Sequence, residues 1–67
     1  LGDLNLLIDK LPSDQREVLK MRYYEELSFK KIAEYFDISI NTALGRMRYA
    51  LINLRALSKK HHVDLHN

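Results

Sequence analysis

From Ser28 onward an apolar helical stripe runs for two turns, stops, and resumes on a longer segment. Phe29, Ile32, Ala33 and Phe36 stand at i, i+3, i+4 and i+7, the spacing of one face of a short amphipathic helix. Asp37-Ile38-Ser39 breaks that period. Ser39 then has the chemistry of an N-cap, and Ala43, Met47, Ala50, Leu51 and Leu54 share one face of a helix that can continue to about Lys60. A short helix, a tight break and a long capped helix form the helix-turn-helix layout, in which the second helix enters a DNA major groove with its N-terminal part. Ala33 suits such a motif, because two helices crossing closely need a small residue at the contact. Glycine often stands where Asp37 does, and aspartate tolerates the left-handed backbone better than most residues.

The preceding segments read as two more helices. Asp3 is positioned to cap the first, with Leu4, Leu7, Ile8 and Leu11 on one face, and Pro12 stops it. Ser13 or Asp14 can cap the second, and Asp14 with Glu17 three residues on resembles a capping box. Val18, Leu19, Arg22 and Tyr23 make its stripe, which fades near Tyr24 to Glu26. Ser28 caps the third helix. The expectation is an all-α domain of four helices near residues 3–10, 13–25, 28–36 and 39–59, with no β wing. Its expected core holds Leu7, Leu11, Val18, Leu19, Leu27, Ile32, Ala33, Phe36, Ile38, Met47 and Leu51.

With 67 residues the chain makes one domain, read as a single helix-turn-helix unit over 1–67, and its start at Leu1 suggests a piece of a longer protein. The absence of cysteine excludes a disulfide framework and a thiol nucleophile and fits a reducing cytoplasm. No apolar run approaches the roughly 20 residues that span a bilayer. His61, His62 and His66 cluster without a convincingly placed carboxylate, so no metal or other cofactor is expected. No catalytic arrangement of side chains is visible, and an enzyme is not expected. Charge is uneven. Residues 1–37 carry six cations against eight anions, a balance of −2, while residues 38–67 carry five cations against one anion, a balance of +4. A basic C-terminal half points to a polyanion on that side.

At about 100° per residue, the fourth helix places Asn41, Gly45, Arg48 and Ile52 opposite its core face, flanked by Leu44, Tyr49 and Arg55. Arg48 can bond guanine bidentately, Asn41 can reach adenine or a phosphate, and Leu44 can meet a thymine methyl. Gly45 costs about 1 kcal/mol relative to alanine inside a helix, so its use there suggests close approach of another surface. Tyr49 and Arg46 lie further round, toward the groove edge. Ser28 and Lys30 begin the supporting helix, whose first amides can hold a phosphate, with Lys31 and Arg22 adding charge nearby.

Several segments together resemble one family. They are Leu11-Pro12, Gln15-Arg16-Glu17-Val18, Arg22-Tyr23-Tyr24-Glu25, Leu27-Ser28, Ile32-Ala33-Glu34, Ile38-Ser39 with Thr42, Arg46-Met47 and Ala50-Leu51. Across about residues 8–57 they look like region 4 of bacterial sigma factors of the extracytoplasmic-function type. The resemblance implies a four-helix domain that binds the −35 promoter element and docks on the β flap of RNA polymerase, with an anti-sigma factor as a further partner. It places Leu44, Gly45, Arg48 and Tyr49 facing bases or adjacent phosphates; from the residues themselves Asn41 joins the base-facing set, and Thr42 and Arg46 the phosphate-facing set. The protein is expected in the cytoplasm and monomeric in isolation. The chain departs from the family pattern at Ala43, usually valine, at Lys31, usually glutamate, and at Leu44-Gly45, more often polar. Two other readings share parts of this pattern: the output domain of a response regulator or quorum sensor, and an interaction module that binds only polymerase or an anti-sigma factor.

Overall fold

A computed structural model describes residues 2–61, with side chains from Leu4 onward. Four helices follow in order: α1 (Gly2–Asp9), α2 (Ser13–Tyr23), α3 (Phe29–Phe36) and α4 (Ile40–His61), with no strand among the described residues. The all-α fold expected from the sequence is the fold observed. At about 1.5 Å per residue the 22 residues of α4 extend about 33 Å, which sets the 35 Å long axis of the molecule.

The helix ends show why the chain turns where it does. Asp3 lies inside α1, not ahead of it as its cap. After Asp9 the backbone tightens, with the Lys10 amide donating to the Leu7 carbonyl at 3.0 Å and the Leu11 amide to Ile8 at 3.1 Å. Pro12 then turns the chain and itself occupies the N-cap position of α2, at φ −54° and ψ 147°, so neither Ser13 nor Asp14 caps that helix. The Pro12 carbonyl accepts from the Arg16 amide at 2.8 Å and starts the helix one residue ahead of the expected box. Asp14 instead accepts from the adjacent Gln15 amide, and Glu17 pairs with Arg16. The capping box is therefore not formed.

Both ends of α3 follow the sequence reading. The Ser28 hydroxyl accepts from the Lys31 amide at 3.1 Å. Asp37 sits at φ 55° and ψ 48°, the left-handed conformation. The Asp37 amide donates to Glu34 at 3.3 Å and the Ile38 amide to Ala33 at 3.0 Å, the paired bonds of a Schellman ending. Ser39 caps α4, its hydroxyl accepting from the Thr42 amide at 3.0 Å and donating to the Thr42 hydroxyl at 2.9 Å. The tight turn between the two helices is thus closed by hydrogen bonds on both sides.

Two apolar clusters meet on α4. Leu7, Ile8, Leu11, Leu19, Ala50 and Leu54 join α1, α2 and α4, and Val18, Met21, Ile32, Ala33 and Ala43 join α2, α3 and α4. Met47 packs against both. Leu27, Phe36 and Ile38 close the second cluster as half-buried neighbours. Because α2 packs chiefly on α4, with α3 beside it, its buried set is Val18, Leu19 and Met21, not the expected stripe with Arg22 and Tyr23, both of which are exposed. Leu51 also departs from expectation. It is 36% exposed, because α1 and α2 close on Ala50 and Leu54 and leave Leu51 at the side of a groove.

Candidate nucleic-acid interface

The first four turns of α4 carry the candidate recognition surface. Asn41, Thr42, Leu44, Arg48, Tyr49 and Ile52 are exposed on it, and no other helix covers them. Ile40, at the very start of the helix, is exposed beside them. Arg48 makes no ion pair with any described residue, so its five donors are available to a partner. Thr42 has its hydroxyl engaged with Ser39, which makes it first a capping residue.

Gly45 lies between Asn41 and Arg48, and a Cβ added there would meet nothing within 4 Å. Packing inside the domain therefore does not require a glycine. Gly45→Ala is expected to stabilise the free domain by about 0.5–1 kcal/mol through lower unfolded-state entropy. Thermal melts of the two proteins check this, and a lower melting temperature for the variant would contradict the open space seen here.

The supporting helix presents its cations outward. Lys30 and Lys31 are exposed and form no ion pair with described residues, beside the Ser28 cap. Helix geometry leaves the amides at such a start without intrahelical partners, and an anion is favoured there by the helix dipole. Arg22 has a second task. Its Nη1 donates to the Leu27 carbonyl at 3.0 Å, and its guanidinium lies 4.9 Å from the Phe29 ring centroid. That clamp stitches the α2–α3 connection, in which Glu26 takes a left-handed φ of 56°. Arg46 is turned away from the outward face, with Nε 3.9 Å from Asp14 of α2 and its side chain 30% exposed.

Two features escaped the sequence reading. One is polar contact between α2 and α4, where the Asn53 amide donates to Gln15 at 2.8 Å. Such pairs join residues 38 positions apart and leave no periodic signal. The other is an apolar groove lined by Leu4, Ile8, Tyr23, Met47, Leu51 and Arg55, among others. His61 is exposed at the end of α4, while His62 and His66 lie outside the described residues. Among the described residues no group of histidines and carboxylates could hold a metal, and no helix is long and apolar enough to cross a membrane.

A capped helix-turn-helix with an uncovered, cation-bearing second helix defines a DNA-binding domain. The family model for sigma-70, region 4 matches residues 7–56, which take in all of α2 and α3 and most of α4. This chain belongs to the sigma-70 region 4 family. Membership brings a sigma-factor DNA-binding role in transcription, with promoter DNA and RNA polymerase as partners, and it is not a family of enzymes. No curated protein and no solved structure matches the chain.

Proposed function

We propose that the domain reads the −35 promoter element as the DNA-binding end of a longer, extracytoplasmic-function-type sigma factor acting in the cytoplasm. The observation that carries this reading is the outward face of α4, where Asn41, Leu44 and Arg48 are exposed around the open space over Gly45. A base edge can approach the helix closely there. Arg48 reads guanine, Asn41 reads adenine, and Leu44 takes a thymine methyl. Lys30, Lys31 and the start of α3 hold phosphates on one side, and Tyr49 and Thr42 border the other.

In this reading polymerase docks away from that face. The groove of Leu4, Ile8 and Leu51 receives an apolar segment of the β flap, and an anti-sigma factor competes for it; Leu6 on the outer side of α1 and Tyr24 at the end of α2 are exposed nearby. Tyr24 donates a hydrogen bond to Asn5, which braces α1 against the end of α2 at this surface. NMR shifts on adding a flap peptide should fall on α1 residues, Leu4 and Ile8 among them. Shifts confined to residues 41–49 would rule this docking mode out.

A monomeric domain covering one groove segment makes few phosphate contacts. Its affinity alone is expected near about 10⁻⁴–10⁻⁶ M, with tight promoter binding supplied by polymerase and the rest of the sigma factor. Fluorescence anisotropy on duplexes with and without a −35 element, at several salt concentrations, tests the reading. Binding that falls with salt supports it. The absence of any duplex binding at about 1 mM protein would leave a domain that binds only proteins.

A further inference from the structure

We propose that Asp14, which lies outside the helix-turn-helix, is an electrostatic latch: it holds Arg46, and a DNA phosphate has to displace it before that charge can be used. The inference rests on the DNA-binding reading above and names a residue that sets affinity within it.

The start of α2 touches the flank of α4 at two places. Asp14 Oδ2 faces Arg46 Nε at 3.9 Å, and Gln15 accepts from Asn53 at 2.8 Å. Arg46 and Asn53 are seven residues apart, two turns along the same flank. The Gln15–Asn53 bond fixes α2 against α4, so Asp14 cannot follow if Arg46 swings outward. Arg46 lies only about 40–60° round the helix from Thr42 and Tyr49, which border the outward face. A long arginine side chain spans that angle, so the carboxylate and a phosphate compete for one guanidinium. Asp14 is the weaker competitor: its side chain is 54% exposed, and water screens the pair. No other anion pairs with Arg46 among the described residues.

The test is a double-mutant cycle read by anisotropy on promoter and scrambled duplexes, with wild type, Asp14→Asn, Arg46→Gln and the double variant. Asparagine keeps an oxygen for the Gln15 amide, so α2 retains its start, and thermal melts confirm that each variant is folded. Asp14→Asn is expected to bind both duplexes two- to five-fold more tightly at low salt. At 1.4 kcal/mol per decade this is about 0.4–1 kcal/mol, the worth of an exposed ion pair. In the Arg46→Gln background the same change should have no effect. An equal gain in both backgrounds would assign the effect to the general loss of a negative charge and overturn the latch. So would an unchanged or weakened Asp14→Asn. Glu17→Gln removes an equal charge from α2 without touching Arg46, and it should fall short of the Asp14→Asn gain. A wild-type domain that binds no duplex overturns the DNA-binding reading itself, a result distinct from a wild type that binds and an Asp14→Asn that does not differ from it.

Discussion

Ile32→Ala is expected to destabilise the domain by about 2–5 kcal/mol, enough to unfold much of the population at room temperature. Ile32 is fully buried, in the cluster where α2, α3 and α4 meet. Truncation there removes buried methylenes and leaves a cavity that three rigid helices cannot easily fill. The whole folding free energy of 67 residues is only about 3–10 kcal/mol at typical values per residue. Urea or thermal unfolding followed by circular dichroism measures the loss. Leu51→Ala provides the internal comparison. Its side chain already borders an open groove, so its removal should cost clearly less. Equal losses at the two positions would contradict the burial pattern described here.

Arg48→Ala is expected to cost about 1–3 kcal/mol on a promoter duplex, roughly 5- to 150-fold in affinity, and much less on a scrambled one. The exposed, unpaired guanidinium of Arg48 can make two bonds to one guanine, and a wrong base pair satisfies neither. Lys30→Ala should behave differently. Lys30 sits in the first turn of α3, and in the proposed docking it meets phosphates and not bases. Its loss should weaken all sequences alike and lower the salt slope by about one. Anisotropy of both variants on both duplexes separates the two roles. Equal losses for Arg48→Ala on promoter and scrambled DNA would remove it as a base reader while leaving the helix-turn-helix intact. Gly45→Ala belongs to the same experiment. A methyl group that stabilises the free domain should weaken duplex binding if a base edge occupies the space above it.

Much of this was legible in the chain because it is local. Ser28 and Ser39 each accept from an amide three residues on, and Asp37 adopts the left-handed turn its chemistry tolerates. The amphipathic period of Phe29, Ile32, Ala33 and Phe36 specified a helix with one inward face, and that face packs on the core, with Ile32 and Ala33 buried and the two phenylalanines half-buried. Caps and periods depend on neighbours within four residues, so a sequence displays them directly. The exposed set of Asn41, Leu44 and Arg48 follows from the same arithmetic once the core face of α4 is known.

The remainder depended on which helices meet. Whether Met21 or Arg22 is buried on α2 was decided by where α4 and α3 pack against it. Leu51 has the right period for a core position, yet the eight residues of α1 do not cover it. The same holds for charge. Arg46 reads as a free cation in sequence, and only the placement of α2 puts Asp14 beside it. Local spacing dictates which face of a helix is apolar. The extent of that face that is covered, and the charges that end up neighbours across it, are set by contacts between segments far apart in the chain, and no short-range pattern encodes those.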